Sequence, residues 1–100
     1  MTVQDNPAES RYELFDASTL VGFVDYRLKP GHIALTHTEV APQYEGRGHA
    51  TDLIRAALDD AKARDLAVFP YCSFVQAFMA EHPAYVSLVP ASRRHTFNLA

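Results

Sequence analysis

A single cysteine, Cys72, stands in a sequence of 100 residues that has no tryptophan and only four glycines. One cysteine excludes an intramolecular disulfide and any zinc site built from several cysteines. An excess of basic residues is also missing, because nine Lys and Arg stand against twelve Asp and Glu, a formal net charge of -3. This balance disfavours binding to a phosphate backbone, so no nucleic-acid partner is expected.

Long hydrophobic runs are missing too. No apolar stretch approaches the roughly 18 residues of a membrane span, so no membrane partner is expected. Residues 1–7 lack the basic region and apolar run of a signal peptide, and together with the free thiol this predicts a cytoplasmic protein. The composition itself is that of an ordered domain, with 48% hydrophobic residues. We predict one domain over 1–100, with a core over about 6–89 and a loose tail over 90–100.

The first forty residues alternate between apolar and polar side chains. This period of two predicts strands over Ser10 to Phe15, Leu20 to Leu28 and Ile33 to Val40, joined by short turns as an antiparallel meander. Strict alternation in the third strand predicts one shared face for four of its residues: Ile33, Leu35, His37 and Glu39.

The period then changes to that of a helix. Apolar residues recur at spacings of three and four from Ala50 to Ala61, which predicts an amphipathic helix. A short strand, Ala67 to Tyr71, follows it closely and is therefore expected to lie parallel to the third strand. A second helix is predicted over Phe74 to Glu81, capped by Ser73. The predicted fold class is α+β, an α/β/α-type mixed sheet: a three-strand antiparallel meander, a helix, a parallel strand and a helix.

The strongest chemical pattern is the segment from Glu45 to Thr51, between the third strand and the first helix. The first N–H groups of a helix lack internal partners and carry the positive end of the helix dipole. Glycines at 46 and 48 let a ligand approach this backbone closely, which predicts a phosphate or pyrophosphate site. The segment is neither a Walker A loop nor a Rossmann fingerprint. The alternative is that the glycines only make a tight turn.

The run Val40-Ala-Pro-Gln-Tyr-Glu-Gly-Arg-Gly-His-Ala50 resembles motif A of the Gcn5-related N-acetyltransferases. Their pyrophosphate loop reads Arg/Gln-x-x-Gly-x-Gly/Ala, and here it reads Glu45-x-x-Gly48-x-Ala50, with Glu at the first position. Three further blocks resemble the short, single-domain members of the family: His37-Thr-Glu-Val40, Pro70-x-Cys72-x-Phe74 and His82-Pro83-x-Tyr85. The resemblance implies a minimal acyl-CoA N-acyltransferase fold.

The resemblance also implies the ligands. The cofactor would be acetyl-CoA or coenzyme A, and the acetyl group would pass to an unidentified small-molecule or peptide amine. His82 would face the pantetheine arm, which would pair with the strand edge from Glu39 to Ala41, including Val40. The thioester would lie between Glu39-Val40 on one side and Tyr71-Cys72 on the other. The pyrophosphate would lie against the loop and the start of the helix: Glu45, Gly46, Arg47, Gly48, His49, Ala50 and Thr51.

Acetyl transfer to an amine needs a base, because only a neutral amine attacks the carbonyl carbon. Glu39 and His37 are the candidates, although a solvated carboxylate and a hydrogen-bonded imidazole are equally good explanations of them. Cys72 could carry the acetyl group covalently or merely line the pocket. Tyr85 could supply the acid for the leaving thiolate or cap the core with its hydroxyl.

Other functions stay open at this point. The same loop would serve a non-catalytic coenzyme A or acyl-CoA-binding module, and a protein-interaction domain would need it only as a turn. So short a chain leaves few residues for an acceptor site, so a partner protein or a second copy could complete it. No metal site is expected, because the remaining histidines lack the spacing of metal ligands.

Overall fold

The computed structural model describes all 100 residues and contains five strands, two α-helices and three 3-10 helices. The strands are β1 Thr2–Asn6, β2 Arg11–Asp16, β3 Thr19–Lys29, β4 His32–Val40 and β5 Ala67–Pro70. The α-helices are α1 His49–Ala63 and α2 Ser73–Glu81. The 3-10 helices are Pro42–Tyr44, Pro83–Leu88 and Ala91–Phe97.

The strands form one mixed sheet in the order β1-β2-β3-β4-β5, antiparallel except for the parallel β4–β5 pair. The predicted α+β class is therefore confirmed, but the meander has four strands rather than three. The extra strand, β1, pairs with β2 at the sheet edge. Its five residues include only one aliphatic side chain, Val3, so no apolar alternation marked it.

One face of the sheet carries the hydrophobic core. The apolar stripe of α1 supplies buried residues such as Leu53, Ile54 and Leu58, which pack with Val24 of β3 and Val68 of β5. Helix α2 adds buried residues to the same cluster, so both helices lie on this face. Helix α2 begins at Ser73, and its N-cap is Cys72, not Ser73 as expected. Neither helix is both long and apolar enough to span a bilayer.

A β-bulge divides β4. Asp25 of β3 faces His37, while the next residue, Tyr26, faces Leu35, so Thr36 is an extra residue in β4. Such a bulge reverses the alternation of side chains beyond it. Leu35 lies in the core, whereas His37 lies beside Phe23 on the face away from the helices. The prediction that Ile33, Leu35, His37 and Glu39 share a face was therefore wrong.

The C-terminal segment is packed, so the prediction of a loose tail over 90–100 was wrong. Its 3-10 helix Ala91–Phe97 buries Phe97 to 1% exposure. The Phe97 ring lies 6.4 Å from that of Phe69, and the guanidinium of Arg93 lies over both rings. Phe69 follows the core residue Val68 in β5 and so points to the opposite face. The segment thus packs against β5, and Phe97 also joins the hydrophobic core.

Candidate functional site

Strands β4 and β5 separate partway along their length. They pair only over residues 32–35 and 67–70, and the Cys72 N–H adds one further bond to the Leu35 carbonyl, at 3.0 Å. Beyond the bulge, residues 37–40 of β4 pair with β3 alone. Their other edge therefore faces a slot between β4 and the start of α2, which a linear ligand with amide groups can enter as an extra strand.

The loop before α1 closes one end of this slot with free backbone donors. Gly46 and Gly48 have φ angles of 77° and 79°, in the left-handed region that favours glycine. The Asp52 N–H makes the first helical bond, to the Gly48 carbonyl. The N–H groups of residues 46–51 make no hydrogen bond within the chain. Six consecutive donors at a helix N-terminus form a suitable cradle for a phosphate or pyrophosphate.

A cavity of about 350 Å³ joins this loop to the slot. Seven residues of the predicted binding set line it: Val40, Glu45, Gly46, Gly48, His49, Ala50 and Thr51. The other four predicted residues do not line this cavity: Ala41, Arg47, Cys72 and His82. Thr38, Tyr44 and Phe74 line it although they were not predicted to bind the cofactor. Phe74, in the first turn of α2, is 40% exposed, whereas Phe78, one turn later, is buried. The exposed Phe74 ring is therefore available to a ligand in this cavity.

Cys72 lies inside the slot. Its Sγ is 3.4 Å from Oγ1 of Thr38, so these two side chains reach across the gap between α2 and β4. The residue is half-buried and its thiol is free. Its carbonyl accepts the Gln76 N–H in the first turn of α2, which fixes the backbone at this position. The arrangement holds a thiol next to any ligand that occupies the slot.

His37 and Glu39 form a pair on the other face of β4. His37 Nε2 lies 3.1 Å from Glu39 Oε1, and their side chains are 56% and 60% exposed. The ring of Phe23 stands 6.4 Å from that of His37. The pair is therefore open to water and to ligands that approach the sheet from the side opposite α1 and α2.

Tyr85 and His82 lie away from the slot. Cys72 and His82 cap opposite ends of α2, whose nine residues span about 13 Å. The Tyr85 hydroxyl donates to Asp59 Oδ1 at 2.7 Å, and this hydrogen bond, with some burial, raises the pKa of Tyr85. The His82 ring stacks on Phe78 at 4.2 Å. The structure therefore does not bring either side chain to Cys72.

The site thus consists of one group on the helix face, namely the loop, Val40, Phe74 and Cys72, and one pair on the outer face, His37 and Glu39. The free edge of β4 lies between them. The backbone donors suit a diphosphate, and the unpaired strand edge suits the amide-bearing arm of coenzyme A, so the residues present fit that group.

Comparison with known proteins gives a consistent result for most of the chain. A family model described as GCN5-related N-acetyl-transferase matches residues 11–88. Protein NATD1 of Bos taurus is 43% identical over 51 residues, which cover 51% of this chain and 45% of that protein. Protein NATD1 of Danio rerio is 37% identical over 59 residues, covering 57% and 54%. These matches span about half the length of the curated relatives.

Two solved structures share the fold. The NMR structure of a GCN5-like protein from Staphylococcus aureus superposes with a TM-score of 0.68 at 20% identity, covering 89% of this chain and 87% of that one. A crystal structure of ribosomal-protein-alanine N-acetyltransferase from Brucella melitensis superposes with a TM-score of 0.51 at 24% identity, covering 81% and 62%. At these identities the likeness concerns the fold alone.

Proposed function

Because the chain belongs to the GCN5-related N-acetyltransferase family, we propose that it binds acetyl-CoA and transfers the acetyl group to an amine. One observation carries the proposal: the free backbone donors of residues 46–51 and the unpaired edge of β4 adjoin one continuous cavity of about 350 Å³. A site that served only as a tight turn would need neither the slot nor its connection to the loop.

Each part of the cavity has a role in this proposal. The N–H groups of the loop would hold the pyrophosphate, and Gly46 and Gly48 leave open space in front of them. The edge of β4 would hydrogen-bond the pantetheine arm. The apolar ring of Phe74 and the methyl groups of Val40 would cover the arm from the helix side. Arg47, exposed in the loop, would neutralise part of the phosphate charge.

The acyl group would lie near Thr38 and Cys72. Acetyl-CoA supplies a thioester whose carbonyl carbon an amine can attack, with release of the coenzyme thiol. Before the attack, the ammonium group must lose a proton, which the Glu39 carboxylate can accept while its Oε1 is engaged by His37. Cys72 would line the acyl end of the slot. A covalent role for Cys72 would require the acetyl group to pass first to Sγ and then to the amine, with one thioester replacing another.

A non-catalytic acyl-CoA-binding module is the second candidate, and one observation favours it. Tyr85, the candidate acid, donates a hydrogen bond to Asp59, has a raised pKa and lies at the other end of α2 from Cys72. The one phenol that lines the cavity, Tyr44, donates to Asp16 at 3.4 Å. A protein of this kind would hold the coenzyme without protonating its leaving thiolate.

Thermal unfolding with acetyl-CoA, coenzyme A and ATP tests the binding step. At a ligand concentration a hundred times Kd, we expect stabilisation of about 2.7 kcal/mol by either coenzyme. ATP shares the phosphates but lacks the pantetheine arm, and so should stabilise the protein less. Equal stabilisation by ATP, or none by the coenzymes, would contradict the proposal.

Release of free thiol from acetyl-CoA with a panel of primary amines separates the enzyme from the binding module. Amine-dependent thiol release supports the enzyme, while binding without release supports the module. Mass spectrometry of rapidly quenched samples tests the covalent step. An added acetyl group on Cys72 would support it, and unmodified protein during steady turnover would argue for direct transfer.

A further inference from the structure

A second cavity, of about 520 Å³, lies on the opposite side of β4 from the first. Its floor is formed by residues 20–23 of β3 and 38–40 of β4, including Phe23 and Glu39. Pro42 and Glu45, which follow β4, close one end. Leu20, an apolar side chain that is 38% exposed, borders it. The volume falls in the range typical of small-molecule sites, about 300–1,000 Å³. We call this space the outer groove.

The walls of the outer groove combine apolar surface with negative charge. Phe23 and Leu20 supply the apolar part, and Glu39 and Glu45 supply two carboxylates. Glu39 has His37 as its neighbour, while Glu45 forms no ion pair. Arg11 lies over the Phe23 ring and is engaged by Glu13 at 2.7 Å, and Arg47, two residues after Glu45, forms no ion pair with it. The groove therefore offers a cationic ligand carboxylates that no lysine or arginine already neutralises.

The outer groove also adjoins the coenzyme cavity. Thr38, Val40 and Glu45 line both, so the two spaces are separated only by the free edge of β4 and the loop that follows. On the β5 side, Phe97 and Arg93 of the C-terminal helix pack against the Phe69 ring. A ligand in the outer groove can therefore reach the slot, whereas the C-terminal helix already occupies the surface at Phe69.

We propose that the outer groove binds the acceptor as a protonated small-molecule amine with an apolar body, its ammonium group at Glu39 and Glu45 and its apolar part against Leu20 and Phe23. This rests on the proposed function, since the groove gains a catalytic meaning only if an acyl group lies in the slot. The ammonium would then lie next to Glu39, the residue proposed to take its proton.

Amide chemical shifts of the ¹⁵N-labelled full chain test the proposal, with phenethylamine as the probe. We expect dose-dependent shifts at residues 20–23 and 39–45, retained in the presence of saturating coenzyme A. Phenethyl alcohol, which has the same apolar body and no charge, should bind at least tenfold more weakly. A peptide with a single lysine should cause smaller shifts than the amine at equal concentration.

Variants of the carboxylates sharpen the test. Glu45→Gln should weaken phenethylamine binding about tenfold, the loss expected for one charge-assisted contact. Leu20→Ala truncates an apolar wall that lines the outer groove and not the coenzyme cavity, so it should also weaken phenethylamine binding and leave coenzyme A binding within twofold. Glu9→Gln removes an exposed carboxylate in the turn after β1 and should change neither. Equal shifts with amine and alcohol, or shifts outside the groove, would overturn the proposal. Loss of coenzyme-induced shifts at residues 46–51 would instead contradict the proposed function, so the two failures are distinguishable.

Discussion

The two halves of β4 differ in what surrounds them. The lower half, residues 32–35, pairs with strands on both sides, and its Ile33 and Leu35 lie in the hydrophobic core. The upper half, residues 37–40, pairs with one strand and borders a cavity on each face. Ile33 and Leu35 are 0% and 1% exposed, whereas the side chains of His37 and Glu39 are more than half exposed.

From this difference we expect the lower half to contribute to stability and the upper half to bind ligands. Burial of apolar side chains drives folding, and the lower half supplies it. Unpaired backbone and exposed polar side chains contribute little to stability, but they are the groups that a ligand can bind. The bulge at Thr36 lies at the boundary, because it moves the polar side chains His37 and Glu39 to the outer face.

The largest expected effect is on the free energy of unfolding and concerns Phe97, the buried ring of the C-terminal helix. Phe97→Ala removes a buried ring and leaves a cavity, so we expect a loss of about 3–5 kcal/mol in the free energy of unfolding. Urea denaturation followed by circular dichroism measures it. The matched variant Phe74→Ala, at the slot, should cost less, because that ring is 40% exposed. Equal losses at the two positions would show that the comparison between the halves is wrong.

The second effect concerns the polar pair of the upper half. If Glu39 takes the proton of the amine, Glu39→Gln should lower kcat/KM at least a hundredfold, the low end for a general base. The same change should alter the free energy of unfolding by less than about 0.5 kcal/mol, as is usual for an exposed side chain. Amine-dependent thiol release and urea denaturation measure the two quantities.

His37→Gln is the companion variant, and we expect a smaller loss because His37 would act through Glu39. A rise in the rate of Glu39→Gln at high pH, where the amine is already neutral, would support the role of a base. A pH-independent loss would show that Glu39 only positions the amine.

The sequence predicted one half of this strand better than the other. Its alternating pattern located β4 itself, and the change of period located α1 and β5. The bulge could not be predicted, because one extra residue in Thr36-His37-Thr38 leaves a segment that still reads as a polar strand. The packed C-terminal helix was missed because Phe97 is the only aromatic residue in an otherwise polar segment.

The candidate site was predicted in the same uneven way. The loop from Glu45 to Thr51 could be predicted because its glycines and the start of the helix are neighbours in the sequence. The positions of His82 and Tyr85 depend on where α2 ends and on partners such as Asp59, which no local pattern encodes. Thr38 and Phe74 became part of the cavity only through the separation of β4 from β5.

The third effect concerns the loop at the top of the upper half. Gly48→Val places a side chain on a residue with positive φ and in front of the free donors, so we expect at least a tenfold weaker affinity for acetyl-CoA. Gly31→Val is the matched control, because Gly31 in the β3–β4 turn has a φ of 81° and equally open surroundings. Both variants should lose similar stability, about 1–3 kcal/mol of backbone strain, and only Gly48→Val should lose affinity. Calorimetric titration and thermal unfolding measure the two quantities.

The smallest effect concerns pH and belongs to the lower half. Tyr26 pairs with Leu35 across the sheet, and its hydroxyl donates to Asp5 at 2.7 Å. Burial, with the hydrogen bond to Asp5, raises the pKa of Tyr26 to about 12. Burial and the hydrogen bond to Asp60 raise the pKa of Tyr12 as well. Both phenols thus join β1, the sheet and α1 while they remain protonated.

A raised pKa in the folded state gives stability that is complete below the unfolded value of about 10 and is lost as pH rises through the folded value. Between pH 10 and 11 we therefore expect the wild-type protein to lose about 1 kcal/mol more stability than Tyr26→Phe, which has no phenol to titrate there. Tyr12→Phe should likewise reduce the loss of stability over this pH range. If the free energy of unfolding has the same pH dependence in the wild type and in both variants, protonation of these tyrosines is not linked to folding. That result would contradict the prediction.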